Sequence, residues 1–298
     1  MKKIVIAGGT GFLGTSLESF FKKKGDDVIV LSRKPHFNHT YWNGKQLGSW
    51  VNDLENADVL INLSGKSVDC RYNAVNRDKI LKSRINSTSV LSKAVSQCKK
   101  PPKIWLNASS ATIYIHAENN LMTEKDGIVG DDFSTNICKK WEAEFFKENH
   151  LFTRKVALRI AIVLSKKGGG FPKMSWLARL GFGGKQGIGN QLISWIHIDD
   201  FCRAIDFITE NNEIDGVVNI TAPKPVTNKF FMKELRSAMH IAIGIPLPRV
   251  LLEVGAFLIS TETELLLKSR KVYPEKLLQN GFSFQYESIS KSLVQLVK

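Results

Sequence analysis

Near its start the chain reads Gly8-Gly9-Thr10-Gly11-Phe12-Leu13-Gly14, directly after the apolar run Ile4-Val5-Ile6-Ala7. A glycine turn between a buried strand and a helix can hold an anion. Its N–H groups and the helix dipole point at a diphosphate, and the missing side chains let it approach. A turn serving only the fold would look similar, so context decides. The run before it has no polar side chain, as in a strand buried on both faces. After it, Leu13, Leu17, Phe20 and Phe21 recur at helical spacing, and Lys22-Lys23-Lys24-Gly25 closes the helix. The next strand, Asp27-Val28-Ile29-Val30-Leu31, ends in Ser32-Arg33-Lys34, about 20 residues past the glycines, where an NAD site places an acid against the ribose 2′-hydroxyl. Serine and arginine suit a 2′-phosphate instead, and a charge-assisted bond from Arg33 is worth about 1.5–3 kcal/mol. The pattern points to NADP(H); a solvated basic turn is the plainer alternative.

Other reactive side chains give weaker signals. His197 precedes Asp199-Asp200, and a histidine beside carboxylates could exchange protons. Equally, Asp199 or Asp200 would cap a helix beginning at Phe201, with His197 packed on a strand. Cys138 would need an adjacent base to act as a nucleophile, and none is readable, so an inert helix thiol is expected. His36 and His39 are the closest histidine pair, but no cysteine or carboxylate cluster joins them. No metal site is expected.

These residues need a scaffold, and the pattern supplies one. Further strands are expected at Val59–Leu63, Ile104–Ala108, Val156–Leu164 and Val217–Thr221, with helices over 75–98, 134–149 and 201–210. Alternating strands and helices mean an α/β fold, a doubly wound parallel (Rossmann) sheet. The glycine-rich stretch from Gly168 to Gly189 marks the change to a smaller, interleaved C-terminal substrate region. The expected division is a cofactor-binding domain over 1–165 and a mostly substrate-side region over 166–298, with the strand near 217–221 returning to the sheet.

The 298 residues, 43% of them hydrophobic, can bury a large core in one big or two interlocked domains. The chain opens on a strand, so no signal peptide is expected. The apolar stretch from Ile241 to Ser260 contains Pro246, Pro248, Arg249 and Glu253 and does not read as a membrane span. Cys70, Cys98, Cys138 and Cys202 lie far apart with no CxxC pair, as in a reduced, cytoplasmic protein. The net charge of +14 is dispersed along the chain and comes with no nucleic-acid-binding motif. It suits an anionic cofactor and an anionic small-molecule substrate rather than nucleic acid or a membrane.

With these motifs placed, the chain resembles the extended short-chain dehydrogenase/reductase superfamily, and more narrowly the uncharacterised "epimerase family" proteins with a DUF1731-type C-terminus. Asn62-Leu63-Ser64-Gly65, Arg71-Tyr72, Lys79 and Ser83-Arg84 follow that family's pattern. So do Gly181-Phe182-Gly183-Gly184 through Gly187, Gly189 and Gln191, then Ser194-Trp195-Ile196-His197-Ile198-Asp199-Asp200. Asn219-Ile220-Thr221-Ala222-Pro223, Pro225-Val226-Thr227-Asn228, Pro274-Glu275-Lys276-Leu277-Leu278 and Gly281-Phe282 complete a resemblance that spans the chain.

The resemblance implies that Gly8, Thr10, Gly11, Phe12, Leu13 and Gly14 hold the diphosphate, and Ser32 and Arg33 the 2′-phosphate. Leu63 and Ser64 would pass beside the adenosine side, Arg84 would reach into the cofactor region, and Ile162 would bring backbone near the nicotinamide. Leu63 and Ile162 would also serve a plain core, and Arg84 a surface ion pair. The wider superfamily moves its proton with a Tyr-x-x-x-Lys pair on a helix, assisted by a serine. Ser110 matches that serine. The helix segment Asp132-Phe133-Ser134-Thr135-Asn136-Ile137-Cys138-Lys139-Lys140-Trp141-Glu142 has no tyrosine. Anchored on Glu142, the tyrosine place holds Ser134 and the lysine place Cys138; a shifted register gives Asn136 and Lys140. Tyr114 could offer a phenol instead, or be a packed core tyrosine. The implied activity is that of an NADP(H)-dependent oxidoreductase or epimerase on an anionic, nucleotide-linked or other, small molecule. A non-catalytic NADP(H)-binding sensor acting through a protein partner is the competing class, and a homodimer is compatible with either.

Overall fold

The computed structural model describes residues 1–34, 39–117, 119–248, 250, 252–253 and 268–298. His36, Arg249 and much of the apolar stretch 241–260 lie outside the described residues. The chain runs β1 (Lys3–Ala7), α1 (Phe12–Lys24), β2 (Asp27–Ser32), β3 (His39–Tyr41), α2 (Val51–Leu54), β4 (Val59–Asn62), α3 (Ala74–Gln97) and β5 (Ile104–Ser110). It continues through β6 (Leu121–Met122), α4 (Phe133–Phe146), β7 (Arg154–Ile160), β8 (Ile162–Leu164), α5 (Phe171–Leu177), β9 (Leu192–Ile193), β10 (Trp195–His197) and α6 (Ile198–Glu210). Then come β11 (Gly216–Ile220), β12 (Val226–Thr227), α7 (Asn228–Ala238), β13 (Lys271–Val272), α8 (Glu275–Gln279) and α9 (Ile289–Val297).

The main sheet has seven strands in the order β11-β7-β5-β4-β1-β2-β3, all parallel. The order reverses at β1/β4, the topological switch point where doubly wound sheets bind ligands beyond their strand C-termini. β1 shows why both faces are apolar. Ile4 and Ile6 pack with Leu17 and Phe21 of α1 and Phe201, Ile205 and Ile208 of α6. Val5 and Ala7 face the other way, toward Val90, Leu91 and Val95 of α3 and Phe145 of α4. Successive strand residues point to opposite faces, so a sheet covered by helices on both sides has no polar alternation.

A second core joins Phe171 and Met174 of α5, Trp195, Phe231 and Leu235 of α7, and Leu293 and Leu296 of α9. β11, between the two groups in sequence, pairs with β7 in the main sheet. The single strand expected over 156–164 is two: β7 stays in the sheet, while β8 leaves at Ala161 to pair with β10. An unbroken apolar run cannot reveal where a strand changes partners. Among the described residues no helix is long and apolar enough to cross a membrane.

Candidate functional site

Gly8 lies in left-handed backbone space at φ +73°, and its N–H donates to the carbonyl of Leu31 at 3.0 Å. That bond ties the turn to the end of β2. A Cβ at Gly8 would stand 2.6 Å from Ser64 Oγ, so the loop after β4 rests directly on the turn. A Cβ at Gly14 would collide with the backbone of Gly9, which sets how closely α1 meets the turn. Gly11 differs, because nothing lies within 4 Å of its missing side chain. It is the N-cap residue of α1 (φ −79°, ψ 169°), and that helix start has neither a side-chain cap nor an acid in its first turn. The first amides are therefore left for another acceptor. Ser64 Oγ is buried beside Gly8 with no partner among the described residues. A glycine cradle, uncapped amides and an orphaned hydroxyl together fit a diphosphate.

The supports lie beneath. Ser64 N–H donates to Asn62 Oδ1 at 3.0 Å, and Asn62 Nδ2 donates to Asn107 Oδ1 at 2.7 Å. Thr88 joins this buried pair and accepts from Trp141 Nε1 at 2.9 Å. Above the helix start, Phe12 packs on Gly168 and Gly169, where added side chains would meet its ring or Cβ. At the end of β2, Ser32 is buried and accepts from Lys34 N–H at 3.1 Å, while Arg33 is exposed. Leu63 and Ile162 are half-buried against the two cores. Lys79 is exposed on α3.

Arg84 is not a surface ion pair. Its Nη1 donates to the carbonyls of Lys66 and Ile80, each at 3.0 Å, and its guanidinium lies 5.0 Å from the Trp141 ring. Burial lowers its pKa, and it is near enough to Cys138 to favour that thiolate.

Ser110, at the C-terminal end of β5, accepts from both the N–H and the hydroxyl of Thr112, at 3.2 and 3.0 Å. Thr112 Oγ1 is also 3.5 Å from Cys138 Sγ. Since the Thr112 proton goes to Ser110, the thiol donates to Thr112, and the Ser110 hydroxyl keeps its own proton for another acceptor. Burial pushes the Cys138 thiol up, so it stays protonated, as an inert thiol should. Two other thiols are raised as well, Cys98 to about 11 and Cys202 to about 12.

Tyr114 lies apart from this relay. It is fully buried, its hydroxyl donates toward the Thr123 carbonyl at 3.1 Å and Asn219 Oδ1 at 2.8 Å, and it accepts from Arg159 at 2.9 Å. Arg159 in turn pairs with Glu142 at 2.8 Å, which accepts from Ser109 at 2.6 Å. Burial raises the phenol's pKa. Tyr114 is a core residue closing a polar network, and its phenol is not free for proton transfer.

His197 is likewise structural, and the expected cap changes identity. α6 starts at Ile198, not Phe201, and His197 Nδ1 is the cap, accepting from Asp199 N–H at 3.1 Å. Its Nε2 therefore carries the proton and donates to Gln295 Oε1 at 2.9 Å. Asp200 is buried and accepts from the N–H groups of Gln285 and Tyr286 at 2.9 and 2.8 Å. Histidine is an uncommon cap, so the acidic pair was the stronger signal in the sequence.

Comparison with known proteins agrees with this architecture. The NAD dependent epimerase/dehydratase family matches residues 4–129, and a domain of unknown function, DUF1731, matches residues 247–296. The chain is 32% identical to human epimerase family protein SDR39U1 over 99% of both chains, and 32% identical to epimerase family protein YfhF of Bacillus subtilis (strain 168), covering 99% and 97%. The chain belongs to this epimerase family. A crystal structure of human SDR39U1 (isoform2) with NADPH superposes with a TM-score of 0.90 at 31% identity, covering 99% of this chain and 98% of that one. A nucleoside-diphosphate sugar epimerase from Corynebacterium glutamicum gives a TM-score of 0.81 at 26% identity, with 58% of its own length covered. The protein is thus an extended short-chain dehydrogenase/reductase of NAD(P)-dependent type.

In this family member the register of α4 is readable from its faces. Ser134, Cys138 and Glu142 are buried, whereas Asn136 and Lys140 are exposed. Cys138, and not Lys140, is the residue of this segment that lies against Thr112 beside Ser110. One strip of contacts runs from Leu31 through Gly8, Ser64 and Gly65 to Arg84, and another joins Cys138, Thr112 and Ser110. Thr112 and Trp141 were not singled out from sequence. A threonine two residues past a strand-end serine, and a tryptophan among lysines, carry no signal until the fold joins them.

Proposed function

We propose that the protein is an NADP(H)-dependent reductase acting on an activated carbonyl-type group of an anionic small molecule. The observation that carries this reading is the cradle: orphaned Ser64 Oγ and open Gly11 over the uncapped start of α1. Ser32 and Arg33, standing where an NAD site keeps an acid, support the phosphorylated cofactor. When bound, that cofactor supplies a hydride. Ser110 would hydrogen-bond the substrate oxygen through its remaining hydroxyl proton, backed by Thr112 and the neutral Cys138 thiol, and the proton that completes the reduction would come from solvent. Such a relay orients and polarises without being a strong acid. A general acid contributes about 10²–10⁴-fold, so a site without one suits substrates that demand little proton transfer. An epimerase would also have to remove a proton from an alcohol. Glu142, the carboxylate beside Ser109, is not free to do so, since Arg159 and Ser109 engage it. The same neutrality favours, as a second reading, a cofactor sensor without turnover.

A panel of NADPH-oxidation assays tests this. Activated dicarbonyl or quinone-like acceptors should turn over faster than sugar alcohols or nucleotide sugars. Ser110→Ala should lower that activity about tenfold or more, Cys138→Ala far less, and Ser134→Ala little. Brisk oxidation of a simple alcohol would overturn the reductase reading, and tight NADPH binding with no turnover on any acceptor would favour the sensor.

A further inference from the structure

Large apolar side chains stand exposed where three segments of the C-terminal region meet. Trp176, Leu180, Ile188, Phe230, Ile243 and Ile245 are each between 42% and 75% exposed. Trp176 and Leu180 are four residues apart where α5 runs on into the wider turn Ala178–Phe182, so they share one side. Backbone bonds tie this turn to the segment 243–247: Ile245 N–H donates to the Gly181 carbonyl at 2.8 Å, and Gly184 N–H donates to the Ile245 carbonyl at 3.1 Å. The same glycine stretch reaches α7, where Lys229 N–H donates to the Gly189 carbonyl at 2.8 Å. Arg236 of α7 donates to the Gly183 carbonyl and holds the stretch from beneath. Ile188 stands between two glycines in left-handed backbone space, Gly187 at φ +60° and Gly189 at φ +82°. An apolar patch joined in this way marks a surface that another body covers.

Charge says which body. Arg179, Lys185, Lys229 and Lys233 stand exposed among these side chains, and none of the four forms an ion pair among the described residues. No acid occurs between Glu148 and Asp199, and over 216–252 the only one is Glu234, which is half-buried and accepts from the Ser290 hydroxyl. The cations look dispersed along the sequence, which argued against a membrane, but the fold gathers these four. A second copy on the same face would set the lysines against themselves. A protein partner needs matching shape, whereas here the apolar side chains stand on separate turns with cations between them. A lipid surface has no shape to match; it takes apolar side chains into its headgroup layer and attracts nearby lysine and arginine. We propose that this face docks the protein on an anionic lipid surface. The contact is peripheral, since no helix among the described residues is long and apolar enough to cross a membrane. The inference is independent of the cofactor reading.

Sedimentation with sucrose-loaded vesicles tests it on the full chain. Vesicles of phosphatidylcholine with about 30% phosphatidylglycerol should bind the wild type at least about tenfold more strongly than phosphatidylcholine alone. Raising salt from about 0.1 to about 1 M should remove most of the difference. Lys185→Glu with Lys229→Glu should weaken binding at least about tenfold, and so should Ile243→Ser with Ile245→Ser. Two controls carry equal changes where the strands begin, away from this face: Lys99→Glu with Lys100→Glu, and Leu151→Ser with Phe152→Ser. Each should stay within about twofold of the wild type. Thermal melting checks every variant, and the wild-type comparisons of lipid and salt stand whether or not a variant folds. No preference for phosphatidylglycerol overturns the proposal. Equal losses in the Lys99/Lys100 control would leave only net charge at work and overturn it as well. A dimer in sedimentation velocity that the isoleucine variants dissolve would assign the face to a second copy. Binding to poly-glutamate without binding to vesicles would assign it to an acidic protein; either result contradicts the lipid reading.

Discussion

Gly11→Val separates the cofactor role of the glycine turn from its folding role. Nothing lies within 4 Å of the added Cβ, and the backbone at φ −79°, ψ 169° is extended, a region valine favours. Valine is a poorer N-cap than glycine, by roughly 0.5–1 kcal/mol, but it stiffens the unfolded chain by about 0.4–1 kcal/mol in the opposite direction. The two nearly cancel, so Tm should move by no more than about 4 °C. Binding should respond quite differently. The valine methyls would fill the approach to the first amides of α1, and losing one or two charge-assisted bonds of about 1.5–3 kcal/mol each weakens a ligand at least about tenfold. Gly14→Ala is the counterpart. Its Cβ would meet the Gly9 backbone, an overpacking that costs about 1–3 kcal/mol and lowers Tm visibly. Thermal melting beside fluorescence titration with NADPH reads both effects. If Gly11→Val stays folded and binds NADPH as the wild type does, the turn is merely structural. If Gly14→Ala melts unchanged, the packing argument is wrong.

Other consequences follow from the buried polar groups. Tyr114→Phe leaves Arg159 and Asn219 each one partner short, so urea denaturation should show a loss of about 1–3 kcal/mol, while NADPH oxidation changes less than about threefold; a hundredfold loss of rate would make Tyr114 catalytic after all. Arg159→Met strands the Glu142 carboxylate in the core and should cost about 3–5 kcal/mol, read by the same denaturation, with NADPH affinity in the folded fraction preserved. Burial holds the His197 pKa below its ordinary value, so the unfolded chain binds the proton more readily. Its contribution is complete above about pH 6.5 and is lost as pH falls toward the folded pKa. Stability should therefore decline from pH 7.5 to 5.5, and His197→Gln should flatten that slope; an equal slope in the variant would refute the assignment.

Much of the scaffold was legible because its signals are local. The bare apolar run at Ile4–Ala7, the glycines after it and the lysines closing α1 each act within a few residues, and each stands where expected. α3 and α4 were placed nearly to their ends for the same reason. What was hidden depends on contacts between distant segments. The break at Ala161 follows from β8 finding β10, more than thirty residues later in the sequence. His197 caps α6 because Gln295, 98 residues away, fixes its ring. Tyr114 could be a phenol at a strand end or a packed core tyrosine, and only Arg159 and Asn219 closing around it decide for the core. Arg84 could reach the cofactor region or form a surface ion pair, and only the Lys66 and Ile80 carbonyls and the Trp141 ring, brought to it by the fold, show that it is no ion pair.

The central claim is that the β1–β2 end of the sheet receives a phosphorylated nicotinamide dinucleotide, with Ser32 and Arg33 as its discriminating residues. Parallel titrations with NADPH and NADH test it most directly. NADPH should bind at least about tenfold more tightly, a difference of roughly 1.4 kcal/mol, and Arg33→Ala should remove most of that gap. Equal affinities for the two cofactors in the unmodified protein would contradict the account.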